Sequence, residues 1–213
     1  MKEFLHGTRQ AVSVTVVLML ICGLLFPCLL TGLSSVLFPR QAGGSLITVN
    51  GTAVGAEHVG QEFTQDCYMW SRPSAYHYNV YTESEDGRKY YNDGTEFGGL
   101  ASGSNNYAPS NPALVERVEA DMEAFLAKNP DVEREDIPTD LLTASGSGLD
   151  PHISPESAQI QLPRIAQASG LSEESLQEIV ERNTTGKLLG VFGEKTVNVL
   201  KVNIEIAQAM GTL

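Results

Sequence analysis

The sequence predicts a single N-terminal transmembrane helix followed by an extracytoplasmic mixed α/β domain of the α+β class. Three observations carry this. An uncharged apolar run of 28 residues lies near the N-terminus, basic charge near it is weighted to its N-terminal side, and helical periods mix with hairpin and turn signals beyond it.

The run "AVSVTVVLMLICGLLFPCLLTGLSSVLF" spans 11–38, and no charge falls between Gln10 and Pro39. A bilayer core of about 30 Å needs only about 20 helical residues, so the run is long enough to cross. A cleaved leader would have a shorter core and a small-residue cleavage pattern, and neither is visible. Pro27 removes one backbone hydrogen bond from this helix, and Gly23 and Gly32 offer flat surface to another helix. Lys2 and Arg9 precede the run, whereas Arg40 is followed by no Lys or Arg until Arg72. The positive-inside rule therefore puts residues 1–10 in the cytoplasm and 41–213 outside the inner membrane.

The net charge is −12, and residues 1–40 contribute +2, which leaves −14 for the outer domain. Such a surface repels nucleic acid. Cys22 and Cys28 sit in the apolar run and Cys67 stands alone, so no disulfide is expected in the domain.

Asn50-Gly51 between apolar residues predicts a tight hairpin at the start of the domain. Residues 79–99 are polar and glycine-punctuated, with Tyr81, Tyr90, Tyr91 and Phe97, and predict a loop or local hairpin. In "SNPALVERVEADMEAFLAK", Asn111 is the expected N-cap and Pro112 the first helical residue, with Leu114, Val118, Met122 and Phe125 on the inner face. Ser154 caps a second helix opening with Pro155, which Pro163 ends or bends. A third helix starts at Ser172, with Leu171 and Leu176 as a hydrophobic staple. In "VNVLKVNIEIAQAM" strand and helix periods fit equally well.

"TASGSGLDPHISP" (143–155) concentrates glycines, hydroxyls, Asp150 and His152, and invites three chemical readings. A phosphate loop requires G-x-x-x-x-G-K-[ST], and this stretch has neither the spacing nor a lysine. A nucleophile elbow requires G-x-S-x-G, but Ser147 is flanked directly by Gly146 and Gly148; a Ser147–Asp150–His152 triad needs the loop to fold back on itself. One imidazole and one carboxylate fall short of a metal site, and His6, His58 and His77 are scattered, so no metal site is expected. The remaining reading is a tight turn in which the glycines take positive φ, hydroxyls bond loop amides, and Asp150 and His152 hold the shape.

"YMWSRPSAYHYN", "ASGSNNYAPSNPALVERV", "IPTDLLTASGSGLDPHISPESAQIQLPRIAQASGLS" and "VNVLKVNIEIA" together resemble the C subunit of the bacterial potassium-importing Kdp ATPase. The matching positions are Trp70 to Pro73, Ser102 to Asn105, Ser110 to Pro112, Thr143 to Gly148, Asp150 to His152, Ser154, Pro155, Gln161, Pro163, Arg164 and Asn198, among them Ser71, Arg72, Ser104, Asn111, Ser145, Gly146 and Ser147. Compared with the family pattern, residues 79–99 read as an insertion.

The resemblance implies a small non-catalytic subunit of an ATP-driven potassium import complex; the single span, the missing catalytic set and the acid excess add the expectation that it assembles and stabilises that complex and caps its ion entrance. Its partners are then a potassium-channel-like subunit, a P-type ATP-hydrolysing subunit and a small membrane peptide, within membrane lipid. Potassium is carried by the complex, and no bound ion is expected in this chain. The family is also described as a catalytic chaperone raising the ATP affinity of the hydrolysing subunit, which makes Gln161, Ser145, Gly146, Ser147 and Gly148 candidate nucleotide contacts. The outward topology and the acidic domain argue against direct ATP contact. An accessory nucleotide-binding subunit and a membrane-anchored hydrolase using Ser147 remain the alternatives. Arg72 and Arg164 are expected to pair inside the domain.

Overall fold

Helix α1 (Lys2–Leu20) leads through one wide π-type turn (Ile21–Leu25) into α2 (Phe26–Leu37). The wide turn lies where Pro27 would otherwise press on the carbonyl four residues back, and the Phe26 N–H reaches Ile21 O instead. Helicity begins at Lys2, so it includes the segment read as the N-terminal flank. It stops at Phe38, where the following proline disfavours helical backbone. Phe4–Leu37 contains an 18-residue window with a mean hydropathy of 2.6 and no buried residue, so it is long and apolar enough to cross a membrane. A four-residue helix α3 (Pro39–Ala42) follows.

This computed structural model describes residues 1–213 except the side chains of Lys2 and Glu3, and it divides into two compact units, Met1–Leu46 and Ile47–Leu213. The second unit mixes helices with short strands, as the α+β class requires. Strands β1 (Leu46–Val49) and β2 (Thr52–Ala56) form a hairpin whose turn residues Asn50 and Gly51 both have positive φ. Within 79–99, β3 (Thr82–Glu83) pairs with β4 (Lys89–Tyr90). That local hairpin carries its own aromatic contacts, with Phe97 4.6 Å from Tyr81 and 5.3 Å from Tyr91 between ring centroids.

Helix α4 (Pro112–Lys128) is capped by Asn111, whose Oδ1 accepts from the Ala113 N–H. Next comes β5 (His152–Ile153), and Ser154 then caps α5 (Pro155–Gln159) by accepting from the Ser157 N–H. Pro163 sits in the first turn of the following helix, α6 (Leu162–Ser169), so it separates the two rather than ending a longer one. Helix α7 (Glu173–Arg182), β6 (Thr184–Thr185), β7 (Thr196–Asn198) and α8 (Val199–Ala209) complete the chain. The two periods seen at 197–210 are both real: the strand ends at Asn198, which caps the helix through Lys201 N. Strand β7 is central in an antiparallel sheet of order β5-β7-β6, with His152 opposite Asn198 and Thr184 opposite Val197.

Two apolar clusters form the core. The larger joins Ile153, Leu162, Ile165, Leu176, Ile179, Val197, Val202 and Ile206 with Met69 from an irregular segment. The smaller joins Met122 and Phe125 of α4 to Ile137, Leu141 and Leu142, with Trp70 and Ile160 packed against it. Met69 and Trp70 therefore serve different clusters, and so do Ile160 and Leu162. Chain segments 69–70 and 160–162 form the seam between the two.

Asn198 ties α8 to the segment after β2, because its Nδ2 also donates to Glu57 O at 2.8 Å, beside the Lys201–Glu57 ion pair. Asn198→Ala removes a helix cap and the hydrogen bond to Glu57 O, so it should lower stability by about 1–3 kcal/mol. Chemical unfolding of the detergent-solubilised full chain, followed by circular dichroism, measures this loss.

Candidate functional site

The sequence-predicted residues separate into two groups once placed. One group is spent on the seam. Gln161 is fully buried, and its Oε1 accepts from Trp70 N and from Arg164 Nη2, both at 2.8 Å. Its Nε2 donates to Ser157 O at 3.0 Å and to Trp70 O at 3.3 Å. Every hydrogen-bonding position of the amide is used inside the fold. Arg164, also buried, donates to Asn129 Oδ1, Asp66 O and Tyr68 O as well as to Gln161, and its guanidinium lies 4.3 Å from the centre of the Trp70 ring. Burial brings its pKa down to about 10, so it stays charged at neutral pH. The expected internal pairing of Arg164 is thus present, but with carbonyl and amide oxygens rather than a carboxylate.

The 143–155 stretch is a structural turn, with one correction to its expected form. Neither Gly146 nor Gly148 has positive φ. Gly148 is needed for close approach instead: a Cβ there would lie 3.0 Å from Gly103 O and from the Tyr76 ring. The hydroxyls act as expected, with Ser145 Oγ accepting from Ser147 N and Ser147 Oγ from Leu149 N. Asp150 Oδ1 accepts from the His152 N–H at 3.0 Å, and Asp140 accepts from Ser154 N, Ser154 Oγ and Ser157 Oγ. Among the described residues no hydrogen bond joins Ser147 to His152, so the triad geometry is not assembled. The His152 ring lies 3.8 Å from Asp150, yet burial outweighs that carboxylate and lowers its pKa. The neutral ring contributes stability that is full above the ordinary histidine value and is lost as pH falls through the lowered one.

The other group lines a cavity of about 660 Å³. Trp70, Ser71, Arg72 and Pro73 form one wall, Ser104 and Asn105 a second, and Thr143 and Ala144 a third; α4 closes it with Leu114, Arg117, Asp121 and Phe125. Arg72 is loosely held, donating to Asp150 Oδ2 at 3.4 Å and to Thr143 O at 3.3 Å, while its buried Nε–H has no partner. Arg117 is tightly held, at 2.6 Å from Asp121 Oδ2. Burial nonetheless raises the Asp121 pKa, with Arg117 opposing the shift.

Residues that sequence reasoning missed brace this cavity. His77, Tyr78 and Asn79 are successive left-handed residues, a costly arrangement for side chains of their size. It is over-determined: Tyr78 Oη donates to Arg72 O and Asp150 O, His77 Nδ1 lies 2.9 Å from Glu62 Oε1, and Asn79 exchanges two bonds with Ala101. Burial raises the Tyr78 pKa, so its hydroxyl remains a donor. Gly60 lets the chain pass this point, since a Cβ there would meet the Tyr78 ring and Asp150 O. No local pattern announces these contacts.

A family model described as "K+-transporting ATPase, c chain" matches residues 8–208. The chain belongs to the KdpC family. Relatives named potassium-transporting ATPase KdpC subunit include one from Clostridium kluyveri, 54% identical over 211 residues and covering 99% of this chain and 98% of the relative. Others come from Clostridioides difficile, 54% identical over 205 residues with 96% and 98% covered, and Caldanaerobacter subterraneus subsp. tengcongensis, 44% identical over 200 residues with 94% of each covered. Membership of the KdpC family makes this chain an accessory subunit in potassium import, whose partners are other Kdp subunits.

The packing assigns Arg164 to the seam. Arg164→Lys keeps the charge, but one ammonium cannot serve Asn129, Asp66 O, Tyr68 O and Gln161 together. It should cost about 2–4 kcal/mol, because buried acceptors are left unpaired. The midpoint of chemical unfolding of the full chain in detergent checks this.

Proposed function

We propose that this chain is a non-catalytic subunit that stabilises the assembled transporter and caps its potassium entrance from outside the cell. Its span packs among partner helices, with Gly23 and Gly32 as points of close approach, and residues 1–10 face the cytoplasm. The acidic outer domain, carrying −14, concentrates potassium near the entrance. The partners are the potassium-channel-like, ATP-hydrolysing and small membrane subunits.

The observation that carries this reading is the contrast between the two family-matched arginines. Arg164 is saturated by internal acceptors, whereas Arg72 lines an open cavity on two long bonds with its guanidinium partly exposed. A guanidinium with unused donors beside the Trp70 wall suits a carboxylate presented by a partner subunit. Direct ATP contact through Gln161 fits less well, because its amide is buried and fully bonded. A hydrolase reading fits less well too, because Ser147 engages a loop amide.

The test uses the whole complex with this chain shortened to its N-terminal 40 residues. Loss of assembly, or a weakening of apparent potassium affinity on the order of tenfold that fades at high ionic strength, supports the cap. Assembly and transport with unchanged apparent affinity would contradict it.

A further inference from the structure

The segment "GKLLGVFGEK" (186–195) ends in an apolar tip that the fold does not use. Leu188, Leu189, Val191 and Phe192 are 70%, 83%, 71% and 64% exposed. Other exposed large apolar side chains of this unit, such as Val59, Leu100 and Val115, are scattered singly along the sequence, which is ordinary for a soluble surface. Four within five residues is not ordinary.

The backbone geometry sharpens the point. Leu188 and Phe192 face each other in an antiparallel bridge, exchanging N–H···O bonds of 2.8 and 3.0 Å. Gly190 N reaches Lys187 O and Val191 N reaches Leu188 O. Gly190 and Gly193 take positive φ, as tight turns allow, but so does Leu189 at φ 53°. A leucine in that region is strained, and its side chain gains no burial in return. What favours leucine at the apex therefore lies outside the chain.

We propose that this tip is a membrane-interface anchor. Leu188, Leu189, Val191 and Phe192 enter the boundary between headgroups and acyl chains of an anionic bilayer, and Lys187 and Lys195 stand at phosphate level. Both lysines are exposed and carry no ion pair among the described residues, within a domain that is otherwise strongly acidic. Two flanking lysines against one exposed acid, Glu194, leave the rim of the apolar tip net positive, which matches an anionic lipid surface. The N–H groups of Leu188, Gly190, Val191 and Phe192 are met within the tip, which lowers its cost of leaving water. Residues 188–193 have no hydrogen-bonding side chain and lack the Trp, Tyr or Arg anchors of a protein-docking centre. The chain's own apolar span, Phe4–Leu37, supplies the bilayer.

The test places an environment-sensitive fluorophore on Phe192→Cys in a full chain carrying Cys22→Ser, Cys28→Ser and Cys67→Ser. The chain is reconstituted alone in phosphatidylethanolamine–phosphatidylglycerol vesicles, with lipid-borne spin labels as quenchers. A matching label on Asp86→Cys, at the turn of the polar hairpin, is the reference, and Val191→Cys repeats the measurement at a second tip position. The expected result is at least about twofold quenching at 191 and 192 and none at 86, weakened in neutral phosphatidylcholine vesicles. Labels at 191 and 192 as exposed as that at 86 would overturn the proposal. So would tip labels that become shielded only when the other Kdp subunits are present, since the occupant would then be protein.

Discussion

One buried cation organises the second unit. Residues 66–70 have no strand or helix to satisfy their backbone, yet Met69 is fully buried and Trp70 packs on the smaller core cluster. Side chains from two distant helices do the work of a neighbouring strand. Arg164 takes the carbonyls of Asp66 and Tyr68, Gln161 takes both backbone groups of Trp70, and Asn203 takes both of Met69. The arginine in turn depends on Gln161, Asn129 and the Trp70 face to stay buried without a carboxylate. If this set is removed, the two apolar clusters lose their common seam.

The clamp also explains how the remaining family-matched residues are presented. Trp70 is fixed by its backbone, so the following Ser71, Arg72 and Pro73 enter the cavity from a rigid point. The left-handed turn at 77–79 and the close approach of Gly148 brace the far side. A stretch rich in glycine, serine, Asp150 and His152 thus shapes a surface. Gln161, polar in sequence, is an interior girder.

Legibility followed the range of the interactions. Helix starts were readable because a cap and its target are two or three residues apart: Asn111, Ser154 and Ser172 cap where their sequence context placed them. The Asn50-Gly51 turn and the apolar span were readable for the same local reason. The clamp was not, because Arg164 meets Asp66 and Tyr68 across nearly a hundred residues and Asn203 meets Met69 across 134. The glycines at 146 and 148 were misread since turn conformation and close packing both demand glycine, and sequence alone does not separate them. At 197–210 the two periods overlapped because a three-residue strand passes directly into a helix at Asn198.

Native-state amide hydrogen exchange at Met69 and Trp70, in the full chain in lipid nanodiscs, tests the clamp most directly. Both amides donate to buried side-chain oxygens, so they should exchange only with global opening, as slowly as Ile165 and Val202 in the helical core. Exchange as fast as that of an exposed turn would mean that segment 66–70 is an ordinary loop, and the seam would have to be held by something else.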